Sequence, residues 1–261
     1  MKIQAVIDYV QGKTGYPLRS DEGFIWGDAE REVKKAFCCW MMDAGAIQAA
    51  ADGGCSHMIV HESPFFPCGV METSHALGEW AGWPVNRRRL ELLKKHDLTV
   101  VRIHGSMDEM TILDCFADQL QLGAPVVKKP EFVRIYQIPP TRLEPLIERV
   151  KKAVKMDRLR VAVPPGFDRT VERVGLPWGG MGLFVNVGYL RNLLEEGAGV
   201  FIGGETDSYA MRFATEAGIP YIETSHEASE TEGIRVFAEW IGKDLGIKTI
   251  YYEMKTPWFA A

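Results

Sequence analysis

A repeated pattern of short apolar runs, each followed by a histidine and a carboxylate, constrains this chain most. The run at residues 98–103 is followed by His104 and, four residues later, by Asp108. The run at residues 218–222 leads to His226 and Glu230, which are again four residues apart. Apolar runs of this length are typical of buried strands. The pattern predicts two related halves whose strand ends carry nitrogen and oxygen donors.

A further apolar run precedes each of these, which extends the repeat. Residues 56–60 lead to His61 and Glu62, and residues 198–204 lead to Glu205. Ligands in open α/β sheets collect beyond the carboxyl ends of parallel strands. We therefore expect these side chains to lie at such an edge, where they could converge on metal.

Strand and helix patterns alternate along the whole chain, which indicates an α/β fold with parallel strand pairs. Thr141 and Glu144 have the spacing of a capping box at the start of a helix. We place a first α/β lobe at residues 1–125 and a second at 126–261, with the option that the final strand returns to the first lobe. The predicted strands are residues 24–28, 34–42, 57–60, 98–103, 132–138, 158–163, 170–176, 198–202, 219–223 and 248–254. The predicted helices are residues 1–11, 43–52, 88–96, 110–122, 141–156, 183–194, 207–217 and 231–242.

Composition excludes several classes of protein. With 261 residues, 46% hydrophobic and 25% charged, the chain falls in the range of soluble globular proteins. The net charge of −5 argues against broad binding of nucleic acid. The apolar runs are too short to cross a bilayer and residues 1–10 lack a signal-peptide pattern, so we expect no membrane partner and a cytoplasmic location. The five cysteines show no C-x-x-C spacing, so we interpret them as packing residues.

The donor set itself indicates metal chemistry. Imidazole and carboxylate ligands suit iron, zinc or manganese, and six such side chains are enough for two ions. Two closely spaced ions that activate water are the arrangement of dinuclear hydrolases. A single histidine at a strand end is more often a hydrogen-bonded structural residue, but its repetition in two halves favours metal binding. The candidate donors are His61, Glu62, His104, Asp108, His226 and Glu230.

Other motifs have simpler interpretations. Gly179-Gly180-Met181-Gly182 follows a predicted strand and precedes a helix, so it either makes a tight connection, which we favour, or contacts an anion through backbone N–H groups. His57 lies along a predicted strand, and we place His75 and His96 on helices; we interpret all three as structural.

The strand-end donors and the glycine-rich turn resemble those of the Nif-three-like family (NGG-one-interacting factor three), whose members are often labelled GTP cyclohydrolase I type-two homologs. The resemblance extends through nearly the whole chain. It includes residues 23–28, 59–66 and 104–108, the glycine-rich turn, residues 201–205, and residues 225–230, which are similar to the family's Gly-His-x-x-Thr-Glu signature.

The resemblance implies two related α/β lobes with mixed, partly parallel sheets around a central metal cleft, assembled as a toroidal hexamer. The implied ligands of two divalent ions are His61, Glu62, Asp108, His226 and Glu230. The family usually has a histidine at position 62, and Glu62 would favour harder ions.

From the donors and the resemblance together we expect a metal-dependent hydrolase for a nucleotide-like or heterocyclic small molecule, with His104 as catalytic acid or base. The alternative is a non-catalytic metal-binding or regulatory scaffold that forms a ring. Trp80, Trp83, Trp178 and Trp258 offer aromatic surface for such an oligomer.

Overall fold

The computed structural model describes residues 1–67, 78–255 and 257, and it confirms an α/β fold built on two mixed sheets. Cys68, His75 and Trp258 lie outside the described residues, so the interpretations given for them above stay predictions.

Eleven strands are found in the described part of the chain. They are β1 (Gly23–Trp26), β2 (Lys35–Cys39), β3 (His57–Val60), β4 (Thr99–Arg102), β5 (Pro125–Lys128), β6 (Arg134–Thr141), β7 (Arg160–Ala162), β8 (Val171–Gly175), β9 (Val200–Gly203), β10 (Tyr221–Glu223) and β11 (Lys248–Tyr252).

The α-helical segments alternate with these strands. They are α1 (Gln4–Thr14), α2 (Ala44–Asp52), α3 (Pro84–His96), α4 (Gly105–Met107), α5 (Leu113–Gln119), α6 (Leu143–Val154), α7 (Val187–Glu195), α8 (Ser208–Glu216) and α9 (His226–Leu245). A π-helical turn, Asp108–Ile112, joins α4 to α5.

The first sheet has five strands in the order β1-β4-β3-β2-β11. β4, β3, β2 and β11 run parallel to one another, and β1 pairs antiparallel with β4. The parallel register places Val60 opposite Arg102, so β3 and β4 end side by side. The residues that follow β3 and β4 therefore lie at the same edge of this sheet.

The second sheet has six strands in the order β5-β6-β8-β9-β10-β7. β8, β9 and β10 run parallel, and the remaining pairings are antiparallel. Glu223 lies opposite Gly203, so β9 and β10 also end side by side. The residues that follow β9 and β10 therefore lie at one edge of the second sheet, as those that follow β3 and β4 do in the first.

The chain divides into two compact units. Unit 1 contains Met1–Ile112 and Gly233–Lys255, and unit 2 contains Leu113–Glu232. The first boundary falls between the π turn and α5, and the second falls inside α9. β11 pairs with β2 in the sheet of unit 1.

Several local expectations fail for identifiable reasons. The capping box is wrong: Thr141 ends β6 and its hydroxyl donates to Pro139 O, while Arg142 occupies the N-cap position of α6 without a side-chain cap. α9 begins five residues earlier than expected, because Ser225 Oγ accepts a hydrogen bond from Ala228 N and caps it. β5 was not predicted, since only two β-branched residues mark it.

Two of the tryptophans proposed for an oligomer surface are buried, so that expectation is wrong for them. Trp80 packs on Phe65, with ring centroids 4.7 Å apart, and is 6% exposed. Trp178 contacts the rings of Phe132 and Tyr189 inside unit 2. Trp83 is 46% exposed.

In the part of the chain that the structure describes, no helix combines the length and apolarity needed to span a bilayer.

Candidate metal centre

In unit 1, the donors lie where β3 and β4 end. His61 and Glu62 directly follow β3, and His104 is the second residue after β4. His61 is fully buried. Each of the three residues presents one ligand atom, and these atoms lie within 4.8 Å of one another. This spacing allows the three side chains to hold one cation.

A buried carboxylate fixes the backbone at His104. Glu22 Oε1 accepts hydrogen bonds from His104 N at 2.7 Å and from Ser106 N at 2.8 Å. Glu22 Oε2 accepts from the Ser106 hydroxyl at 2.7 Å and from Arg19 N at 2.9 Å. These N–H groups begin a helical segment. A carboxylate there accepts hydrogen bonds from the free N–H groups and is also favoured by the positive end of the helix dipole. Glu22 therefore positions the segment that carries His104.

Asp108 begins the π turn that follows. π turns are rare and occur frequently at functional sites, since they change the direction in which side chains project from a helix. Asp108 is 7% exposed, and its Oδ1 lies 3.8 Å from Nε2 of His61. The structure thus brings Asp108 to His61, while His104 faces Glu62, with Nε2 3.8 Å from Glu62 Oε1.

Asp21 holds the other nitrogen of the His104 ring. Its Oδ2 lies 2.6 Å from His104 Nδ1. This hydrogen bond, with the charges of His104 and the nearby Arg102 guanidinium, lowers the pKa of Asp21 from 3.8 to about 2. Asp21 is therefore ionised and accepts a hydrogen bond from Nδ1–H, which leaves Nε2 facing Glu62.

In unit 2, the donors lie where β9 and β10 end. His226 and Glu230 occupy the first turns of α9, and His226 Nε2 lies 3.3 Å from Glu230 Oε1. Residues four apart share one face of a helix, so α9 brings these two side chains together. Glu205, which follows β9, has its Oε2 3.1 Å from His226 Nδ1. Glu230 is buried, whereas Glu205 is half exposed.

The glycine-rich turn packs its backbone against this pair. Gly179 has φ +52, and a Cβ there would lie 2.0 Å from Glu230 Oε1 and 3.2 Å from His226 Nε2. Its N–H donates to Ser229 Oγ, and its carbonyl accepts from Glu205 N. These contacts support the tight-connection interpretation, because the Gly179 N–H group has a protein acceptor.

The three histidines share one geometry. In each ring Nδ1 faces an oxygen: Ile103 O for His61 at 3.3 Å, Asp21 for His104 and Glu205 for His226. Each Nε2 faces a carboxylate of the donor set. Ligating histidines almost always bond their second nitrogen in this way, because it fixes the tautomer and the ring orientation. The donor atoms and their orientation therefore fit a divalent metal.

Sequence reasoning found the donors and placed Glu205 among the strand-end side chains, but it missed the other residues that support the donors. Arg102 had a visible signal, because a charged residue interrupts an apolar strand. Asp21 and Glu22 lie about 80 residues before His104 in a turn, and no periodicity marks them.

Mixed α/β sheets whose strand ends carry oriented histidine and carboxylate pairs define a candidate metal-binding protein. The chain belongs to the Duf34/NIF3 (NGG1p interacting factor 3) family, whose model matches residues 1–257.

Individual relatives are distant. The chain is 25% identical over 233 residues to a "GTP cyclohydrolase 1 type 2 homolog" of Vibrio cholerae, which covers 87% of this chain and 86% of the relative. A Bacillus cereus protein related to NIF3 has a similar fold, with a TM-score of 0.78, 13% identity and coverage of 100% of this chain and 99% of that one. Reduced HcgD from Methanocaldococcus jannaschii superposes with a TM-score of 0.76 at 18% identity, covering 97% and 98%.

Proposed function

We propose that this chain is a metal-dependent hydrolase that uses two divalent ions to activate water against a nucleotide-like or other heterocyclic small molecule. The observation that carries the proposal is the shared orientation of three histidines, each with Nδ1 held and Nε2 facing a carboxylate. The name of the relatives, GTP cyclohydrolase 1 type 2 homolog, supports a nucleotide-like substrate.

The proposed ligands are His61, Glu62, Asp108, His226 and Glu230. They combine two imidazoles with three carboxylates, a set that suits iron, zinc or manganese. When bound, the ions would supply Lewis acidity and lower the pKa of a coordinated water.

His104 is the proposed acid or base. Its side chain is about one-third exposed, so a reactant can approach the ring, and Asp21 keeps the proton on Nδ1. With Nδ1 protonated, Nε2 can accept a proton from water and return it to a leaving group. Asp21 is ionised and stabilises the charged imidazolium that forms meanwhile.

A non-catalytic metal-binding scaffold is the second candidate, and burial is the observation that favours it. His61 and Glu230 are almost completely buried, as ligands of a closed structural ion are. The exposure of His104 favours the enzyme, because a catalytic site keeps an open position.

The two candidates separate in a turnover assay. Metal-loaded protein is incubated with GTP, other nucleoside triphosphates and pterin precursors, and the products are followed by mass spectrometry. We expect hydrolysis of at least one compound. The hydrolysis rate should fall by about a hundredfold or more in His104→Gln and stay unchanged in the control His96→Gln. Turnover that His104→Gln does not change contradicts the role of His104, and full metal content without any turnover supports the scaffold.

A further inference from the structure

Arg102 places a permanent positive charge beside the donors of unit 1. It is the last residue of β4, and its side chain is 4% exposed. Nε donates to His61 O at 3.0 Å, and Nη1 donates to the backbone and side chain of Asp21 at 3.2 Å. Nη2 lies 3.7 Å from Glu62 Oε2. A guanidinium stays charged at any physiological pH, so this charge is always present.

The contacts of Glu62 divide between its two oxygens. Oε2 lies near Arg102 Nη2 and accepts a hydrogen bond from Ser63 N at 3.3 Å. Oε1 lies 3.8 Å from His104 Nε2. Arg102 and the Ser63 N–H therefore hold one oxygen and turn the other toward the imidazole.

We propose that Arg102 sets the divalent-ion affinity of the donor group: its charge offsets part of that of Glu62 and Asp21 and so limits how strongly the group attracts divalent ions. The inference rests on the proposed metal binding. Glu62 contributes an oxygen donor, while the Arg102 guanidinium offsets part of the negative charge of Glu62 and Asp21. Because both side chains are largely buried, solvent and salt screen their fields weakly.

Two effects of Arg102 oppose each other, and their magnitudes decide the expected result. Supporting residues of this kind typically contribute 10 to 100-fold to metal affinity through positioning, and that contribution would be lost. Repulsion between a unit charge and a divalent ion a few Å apart at an effective dielectric constant of about 20 weakens binding by more than about a hundredfold. The charge effect is the larger, so removal of the charge should tighten binding.

The test measures Mn²⁺ and Zn²⁺ affinity of the full chain by competition with a fluorescent chelator. Arg102→Gln removes the charge and keeps a side-chain donor, and we expect Mn²⁺ binding at least about tenfold tighter. Arg102→Lys retains the charge, and we expect binding no tighter than in the unmodified protein. Unchanged or weaker Mn²⁺ binding in folded Arg102→Gln overturns the proposal.

A pair of variants keeps the test valid if Arg102→Gln does not fold, since a lone buried charge destabilises a protein by about 3–5 kcal/mol when its partner is removed. Glu62→Gln leaves Asp21 as the carboxylate partner of Arg102 and removes one negative charge from the donor group, and we expect Mn²⁺ affinity to fall by at least about tenfold. Glu62→Gln with Arg102→Gln replaces the ion pair by a neutral pair, and affinity should recover by at least about tenfold relative to Glu62→Gln alone. A double variant as weak as Glu62→Gln overturns the proposal.

The outcome also separates this inference from the function on which it rests. If the unmodified chain binds neither ion stoichiometrically, the proposed metal function fails. If it binds them and the variants do not respond as stated, only the role of Arg102 fails.

Discussion

At the scale of single residues, two histidines four positions apart, His57 and His61, have different environments. His57 is fully buried on β3, where Ser56 Oγ lies 2.8 Å from Nδ1 and Nε2 has no hydrogen-bond partner among the described residues. Burial lowers the pKa of His57 from 6.5 to about 4. His61, four residues on, has Nε2 facing a carboxylate instead. The interpretation of His57 as structural agrees with this environment.

His57 should make stability depend on pH. The folded protein keeps the ring neutral down to about pH 4, whereas the unfolded chain takes up a proton near pH 6.5. The free energy of unfolding should therefore fall as the pH drops from about 6.5 to about 4, by up to about 3 kcal/mol.

Urea unfolding of metal-free protein at several pH values measures this dependence. His57→Gln removes the titrating group and should flatten the profile over that range, while His96→Gln serves as the control with a histidine removed elsewhere. A profile that is equally steep in His57→Gln would contradict the assignment.

At the scale of elements, the glycine-rich turn lets the backbone approach the donors on α9. Gly179 has the left-handed φ that an L side chain rarely adopts, and a Cβ there would overlap the Glu230 carboxylate. The turn, the end of β9 and the start of α9 are joined by hydrogen bonds from Gly179 N and Glu205 N. The orientation of Glu230 therefore depends on the absence of a side chain at position 179.

Gly179→Ala tests this dependence. We expect a loss of about 2 kcal/mol or more in stability, because alanine at positive φ costs about 1–2 kcal/mol before any overlap is counted. Divalent affinity should fall by about tenfold, because Glu230 must move. Gly188→Ala is the matched control: nothing lies within 4 Å of its added Cβ, and alanine in α7 should stabilise the chain by up to about 1 kcal/mol. Equal effects of the two substitutions would show that position 179 has no special role.

The sequence predicted most of the strands and the placement of the donors, because apolar runs and strand-end histidines are local signals. It did not predict the start of α9 or the π turn at Asp108, since both depend on hydrogen bonds that form only in the folded chain. Nor did it indicate that Asp21 and Glu22 support His104, because that contact joins residues about 80 positions apart. Local pattern thus identifies the donors, and tertiary contacts orient them.

At the scale of the whole molecule, the oligomer stays a prediction that rests on the family resemblance. Burial of Trp80 and Trp178 removes two of the four tryptophans that also argued for it, whereas Trp83 is exposed. Light scattering at micromolar concentration should give a mass of about six times the 29.3 kDa of one chain. A mass of one chain at that concentration would contradict the ring.

The central claim is that the histidine and carboxylate donors of both units bind divalent ions, and metal analysis tests it most directly. Protein purified without chelators should carry about two ions per chain, and Asp108→Ala and His226→Ala should each lower that content by one ion or more without unfolding the chain. The controls Asp118→Ala and His96→Ala, which change the same residue types outside the donor sets, should keep it. Full metal content in both Asp108→Ala and His226→Ala would contradict the account.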